Sequence, residues 1–125
     1  RRLGRMRKLS EEQVSEMAEL RERGWSHERI GKRFGVSGGA SLYHCLKQGA
    51  FSPREKTRQV PTEAVTYGRR DGRTMRLFTQ AEDDQILELR SRGVMIHHIA
   101  AAMGRANTSI RMRLLWLAKR DELDA

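Results

Sequence analysis

The sequence predicts an all-α chain made of two tandem three-helix units that are joined by a basic linker. Two observations support this prediction: an internal repeat, and a surplus of positive charge that lies outside the repeated segments. The segments that we assign are a basic N-terminal arm at 1–8, a first unit at 9–49, the basic linker at 50–77 and a second unit at 78–125.

The repeat relates the two units at an offset of 69 residues, without a gap. The matched pairs are Leu9-Ser10 with Phe78-Thr79, Glu19-Leu20-Arg21 with Glu88-Leu89-Arg90, Arg23-Gly24 with Arg92-Gly93, Ile30 with Ile99, and Phe34-Gly35 with Met103-Gly104. A match of this kind predicts the same fold twice. Each repeat is near the lower size limit for a domain that folds without metal or disulfide.

Helix boundaries are signalled at the same places in both units. Ser10 and Thr79, each followed three residues later by Gln or Glu, are capping-box signals for a first helix. Glycines mark the helix ends, and the third helices have apolar residues at helical spacing. The glycines are Gly24, Gly35, Gly93 and Gly104, and the predicted apolar faces are Leu42, Cys45 and Leu46, then Ile110, Leu114 and Leu117. No segment alternates as a strand would, and residues 51–61 are expected to be extended because of their two prolines.

The charge balance favours an anionic partner. The chain has 25 Lys plus Arg against 16 Asp plus Glu, a formal net charge of +9 and a pI near 10.8. Five basic residues and no acid lie in 1–8, and seven basic residues against three acids lie in 50–77, whereas both units are neutral. We therefore expect the arm and the linker to contact phosphates or a minor groove; the alternative is a charged surface that contacts only solvent.

Several classes of protein are disfavoured. The single Cys45 excludes an internal disulfide, and no apolar run is long enough for a membrane span, so we expect no membrane partner and a cytoplasmic location, at the bacterial nucleoid. The acids Glu82, Asp83 and Asp84 fall in the first turn of a predicted helix. Acidic residues there interact favourably with the helix dipole, and we prefer this interpretation to a catalytic role. The neighbouring His97 and His98 cannot face one ion together, and we expect no enzymatic activity, no cofactor and no metal.

The first unit resembles the helix-turn-helix family. The resemblance rests on Ile30-Gly31, on Phe34-Gly35-Val36-Ser37 and on Leu42 and Leu46. In that family the small residue after the Ile allows close helix crossing, the Gly makes the turn, and the Ser caps a recognition helix that enters the major groove. Leu42 lies one residue further from Ser37 than the family pattern has it, so we expect the recognition helix to begin near Gly39 or Ala40.

The second unit is similar to Myb/SANT-like trihelical domains. The residues that carry this similarity are Phe78-Thr79, Glu82-Asp83, Ile86-Leu87, Gly93, Ile99-Ala100, Met103-Gly104-Arg105, Ser109-Ile110 and Arg113-Leu114. Phe78 stands where the first tryptophan of that family is expected. Because SANT-type units include protein binders, the resemblance leaves DNA binding and protein binding both open for this unit. The tandem arrangement resembles bacterial and phage-type transcription regulators, among them activators of gene-transfer particles.

The candidate DNA-contacting residues fall in three groups. In the first unit they are Ser37, Gly39, Ser41, Tyr43, His44, Lys47 and Gln48, with Ala40 also predicted to face outward. In the linker they are Arg69, Arg70, Arg73 and Arg76, within a segment expected to be a flexible arm, and in the second unit Arg105, Asn107, Thr108 and Arg111. Arg to guanine and Asn or Gln to adenine are the favoured base contacts. Helix capping is the alternative for Asn107, and Arg113 is expected to meet a phosphate or an acidic neighbour.

The predicted third helix of the second unit has a surplus of apolar residues: Met112, Leu115 and Trp116 lie off its core face. They predict packing against the linker or the first unit, or else a surface for self-association or for RNA polymerase. The overall expectation is a bacterial transcription regulator that binds duplex DNA sequence-specifically. The alternatives are the DNA-targeting region of a transposase, recombinase or phage packaging enzyme, and a second unit that contacts RNA polymerase.

Overall fold

The computed structural model describes residues 8–69 and 71–124, with nothing described for the side chain of Asp124. These residues form seven helices and one two-stranded sheet, so the chain is mostly helical as predicted. The sheet is a local correction to the all-α prediction. The chain divides into a first unit, which holds residues up to 58 together with residues from 118 onward, and a second unit at 59–117.

The first unit begins with three helices, α1 (Glu11–Glu22), α2 (His27–Phe34) and α3 (Gly38–Lys47). Serine side chains at positions 10, 26 and 37 cap their N-termini. Ser37 Oγ accepts a hydrogen bond from the Ala40 amide at 3.0 Å, and α3 begins at Gly38. The predicted later start of this helix, near Gly39 or Ala40, is therefore wrong. Gly35 ends α2 in the left-handed conformation (φ +72°), as its predicted turn requires.

Gly31 allows α2 and the start of α3 to approach closely. A Cβ at this position would lie 2.6 Å from the carbonyl oxygen of Val36, which is far inside van der Waals contact. Around this crossing, Met17, Ile30 and Cys45 are fully buried and form the centre of the first core. The predicted role of Gly31 is confirmed.

The first unit extends beyond residue 49, into a segment predicted to be an extended linker. Phe51 is fully buried, and a short helix α4 (Pro53–Thr57) follows it. Pro53 occupies the first helical position, where proline is favoured, and Ser52 forms a capping box. Glu22 ties this segment to α1, because its carboxylate accepts from the Phe51 amide at 3.0 Å and from Lys56 Nζ at 2.6 Å.

The second unit contains α5 (Gln80–Ser91), α6 (Ile96–Met103) and α7 (Asn107–Asp124) up to residue 117, and the rest of α7 belongs to the first unit. Their starts lie 69 residues after those of α1, α2 and α3, as the repeat predicts. The core is a cluster of Ile86, Ile99, Ala100 and Ile110. α7 is longer than α3, since Gly49, which has φ +71° just after α3, corresponds to Ala118 in α7.

A β-hairpin precedes α5, where a flexible arm was expected. Strands β1 (Thr66–Gly68) and β2 (Thr74–Arg76) pair antiparallel, with Tyr67 opposite Met75. Asp71 Oδ1 accepts from the Arg73 amide at 3.0 Å, and Gly72 has φ +88°. An Asp-Gly pair favours such a turn, and this signal in the sequence was missed.

Candidate nucleic-acid interface

The outward face of α3 is a stripe made by Gly39, Tyr43 and Lys47, which are spaced four residues apart and all exposed. The Lys47 ammonium lies 5.8 Å from the centroid of the Tyr43 ring, so the phenol and the cation share one patch. Gln48, just after the helix, is exposed as well. These four predicted residues are accessible to a macromolecular partner.

His44 flanks this stripe and is half-buried. Its ring meets the Tyr43 ring edge to face, with the centroids 5.3 Å apart. The contact restricts both side chains, which lowers the entropy lost when either makes a directed hydrogen bond. Ser37, at the start of the helix, is exposed, although its hydroxyl is engaged as the cap of α3.

Ser41 does not belong to the outward face, which corrects the prediction. It is fully buried, with Oγ 3.0 Å from His27 Nδ1 and 3.9 Å from Cys45 Sγ. Ala40 is buried too, at 7% exposure. Because α3 begins at Gly38, the helix phase turns Ser41 toward α2, at the position that Ile110 occupies in the second unit.

The groups around Ser41 are shifted by burial. Desolvation, with a smaller effect of the nearby Arg21 guanidinium, lowers the pKa of His27 to about 4, so its ring is neutral at physiological pH. Burial also raises the pKa of the Cys45 thiol. This cluster is therefore an uncharged, packed part of the first unit.

The corresponding face of α7 differs in chemistry. Met112 and Trp116 occupy the positions of Tyr43 and Lys47, and both are half-buried, as is Leu115. The exposed polar residues on the first turns of α7 are Asn107, Thr108 and Arg111. Asn107 is the first residue of the helix. The two units therefore present different surfaces despite their shared helix order.

Arg105 is held inside the second unit, which corrects its prediction as an outward base-reading residue. Its side chain is 10% exposed and donates to the Glu82 carboxylate from Nε at 3.1 Å and from Nη2 at 2.9 Å. Nη1 donates to the carbonyl of Arg76 at 2.8 Å, and the guanidinium stacks 3.9 Å from the Phe78 ring centroid. Burial alone would raise the pKa of Glu82, but the hydrogen bonds from Arg105 and Thr79 lower it overall.

Arg113 meets an acidic neighbour, as one of its two interpretations predicted. Nε and Nη2 each donate to the Asp83 carboxylate at 2.8 Å, and Asp83 is 1% exposed. The guanidinium also lies 4.0 Å from the Trp116 ring centroid. The dipole interpretation of the first-turn acids was therefore incomplete, because Glu82 and Asp83 each bind an arginine whose side chain is mostly covered, at 10% and 15% exposure.

The linker arginines Arg69, Arg73 and Arg76 lie on the hairpin and are exposed. Arg69 is 3.5 Å from Asp71, and Arg76 is 3.8 Å from Glu82. Arg70 and residues 1–7 of the N-terminal arm lie outside the described residues.

The residues that the structure describes include no candidate metal site and no candidate membrane span. Among them, no group of three or more His, Cys, Asp or Glu side chains could hold a metal ion. None of the helices over 8–69 and 71–124 combines the length and apolar character needed to cross a bilayer. No protein-family model, curated protein or solved structure gives a significant match to the chain.

Proposed function

We propose that the protein binds duplex DNA sequence-specifically as a bacterial transcription regulator, with α2 and α3 as a helix-turn-helix. The observation that supports this most strongly is the exposed stripe on α3 behind a tight α2–α3 turn. In a helix-turn-helix, the residues on the outer face of the second helix meet base edges in the major groove. Tyr43 and Lys47 would supply donors there, and Gln48 suits adenine if it reaches the base.

The distribution of charge is consistent with separate roles for the helical units and the basic segments in DNA binding. The helical repeats are neutral in sequence, whereas the arm and the linker hold the surplus of basic residues. Electrostatic contacts to phosphate supply most sequence-independent affinity, and base contacts supply sequence preference. In this proposal α3 reads the bases, and the basic segments supply much of the affinity.

The second unit has a weaker case for base reading. Arg105 and Arg113 are bound to Glu82 and Asp83, so neither is available to a base without breaking a buried ion pair. The apolar Met112 and Trp116 replace the polar stripe of α3. This observation favours a second candidate function for this unit, a contact with a protein such as RNA polymerase, and leaves Asn107, Thr108 and Arg111 as its proposed DNA contacts.

The test begins with selection of bound fragments from genomic DNA, which also reports where the sites lie. Sites near promoters support regulation, whereas sites at the ends of mobile elements support the targeting region of a transposase or recombinase. Failure of the full chain to bind any duplex at low salt would refute DNA binding altogether.

Variants of α3 then test the assigned helix by fluorescence anisotropy on a selected duplex. Tyr43→Ala and Lys47→Ala should each weaken specific binding by about 1–3 kcal/mol, which is the usual range for a lost base contact. Arg92→Ala is the control, because it removes one positive charge from an exposed pair with Glu88 on α5. Equal effects of Lys47→Ala and Arg92→Ala would contradict the role of α3.

A further inference from the structure

One face of the β-hairpin combines apolar and cationic side chains. Residues that are directly paired across two strands point to the same side, and the sides alternate along each strand. Tyr67 and Met75 are such a pair. Beyond the strands, the Arg69 amide donates to the Arg73 carbonyl at 2.7 Å, which continues the same register and places Arg69 opposite Arg73, on the side of Tyr67 and Met75. Arg69 Nη1 lies 3.8 Å from Met75 Sδ, which is consistent with this arrangement. We call these four residues the hairpin face.

The hairpin face is open to solvent. Tyr67 is 48% exposed and Met75 is 39% exposed, and every residue of both strands is in the exposed class. Large apolar side chains left uncovered beside charged ones are typical of a contact surface. Among the described residues, neither Tyr67 nor Met75 belongs to the core cluster of the second unit or packs against it.

The base of the hairpin is fixed, although its face is open. The Leu77 amide donates to the carbonyl of Val65 at 2.9 Å, which continues the pairing beyond the strands. Arg105 donates to the carbonyls of Arg76 and Leu77 at 2.8 and 3.1 Å, while its ion pair with Glu82 holds it against α5. Arg105 is thus a positioning residue that joins β2 to the helices and limits the ordering cost of binding.

The charge of the hairpin selects the type of partner. Residues 66–76 contain four arginines against Asp71 as the one acid. A narrow minor groove concentrates negative potential that attracts arginine, and its walls are deoxyribose rings, which offer apolar surface. We propose that the hairpin face lies in the minor groove of duplex DNA, with Arg69 and Arg73 on its floor and Tyr67 and Met75 against the sugars.

This inference rests on the proposed DNA binding and adds a second contact, in the other groove. It is tested with three duplexes of alternating sequence, containing A·T, I·C or G·C pairs. An I·C pair shows the minor groove of an A·T pair, because inosine lacks the 2-amino group of guanine, but the major groove of a G·C pair. A preference that follows the minor groove therefore treats A·T and I·C alike.

The full chain should bind the A·T and I·C duplexes more tightly than the G·C duplex. The double variant Arg69→Ala/Arg73→Ala should lose about tenfold or more in affinity for the A·T and I·C duplexes and less for the G·C duplex. The preference for A·T and I·C over G·C should therefore become smaller. Arg69→Lys/Arg73→Lys keeps the charge, so the salt dependence of binding should stay the same. Part of the preference for A·T and I·C should be lost, because a lysine ammonium lacks the planar guanidinium of arginine. Tyr67→Ala should weaken binding to all three duplexes without changing the slope with salt.

The outcomes separate this inference from the proposed function. If the chain binds DNA and Lys47→Ala weakens it, but Arg69→Ala/Arg73→Ala leaves the A·T and I·C affinities unchanged, the hairpin inference is wrong and the function of α3 stands. An equal loss on all three duplexes means phosphate contact alone and also overturns it. Absence of any duplex binding refutes both. Circular dichroism of each variant checks that the helices are retained.

Discussion

The buried pair of Asp83 and Arg113 offers the sharpest test of the second unit. The side chains are 1% and 15% exposed, and two hydrogen bonds of 2.8 Å join them. Replacing Asp83 with Asn keeps the shape but removes the negative charge, so a guanidinium stays buried without its counter-ion. Breaking a buried pair in this way costs about 3–5 kcal/mol, a large share of the roughly 5–15 kcal/mol that stabilises an ordinary domain.

The matched control is the exposed pair of Glu88, on α5, and Arg92, the residue that follows this helix. Its side chains are 63% and 65% exposed and 3.0 Å apart. Pairs of this kind contribute about 0.3–0.5 kcal/mol, so Glu88→Gln should barely change stability. Asp83→Asn should therefore lower the free energy of unfolding by about ten times as much as Glu88→Gln does.

Urea denaturation followed by circular dichroism gives the free energies, and amide hydrogen exchange locates the change. Asp83→Asn should lose protection in α5 and α7 and leave α1 and α2 protected. A double variant, Asp83→Leu/Arg113→Met, removes both charges and should recover much of the loss, because no buried charge is left unpaired. Equal stabilities for Asp83→Asn and Glu88→Gln would refute the reasoning.

Two further predictions concern the first unit. Gly31→Ala should destabilise it by about 1–3 kcal/mol, because the new Cβ would lie 2.6 Å from a backbone oxygen. Gly39→Ala is the control: its Cβ would lie 3.8 Å from the nearest atom, so it should be neutral or stabilising by up to about 1 kcal/mol. Thermal unfolding measures both effects. His27 has a pKa of about 4 when folded and 6.5 as its ordinary value, so the unfolded chain binds more protons between these values and stability should fall as pH decreases through this window. The comparison uses urea midpoints at pH 7 and pH 5. The midpoint of His27→Gln should drop less than that of the wild type and that of His98→Gln; an identical drop in all three would contradict the assignment.

The sequence by itself determined the local features of this protein. The caps at Ser10 and Thr79 and the turn glycines Gly35 and Gly104 depend on residues a few positions apart. The starts of α5, α6 and α7 follow those of α1, α2 and α3 at the 69-residue offset of the repeat. Capping and glycine conformation are short-range effects, and they are therefore readable from the sequence.

Only the tertiary structure decided which polar residues are available to a partner. Ser41 was predicted to face outward, but the phase of α3 against α2 buries it. Arg105 was predicted to read bases, but Glu82, 23 residues away in the chain, holds it. Glu22 likewise joins Phe51 and Lys56 to α1 across about 30 residues. Such pairings depend on the meeting of distant segments, and periodicity within one segment carries no information about them.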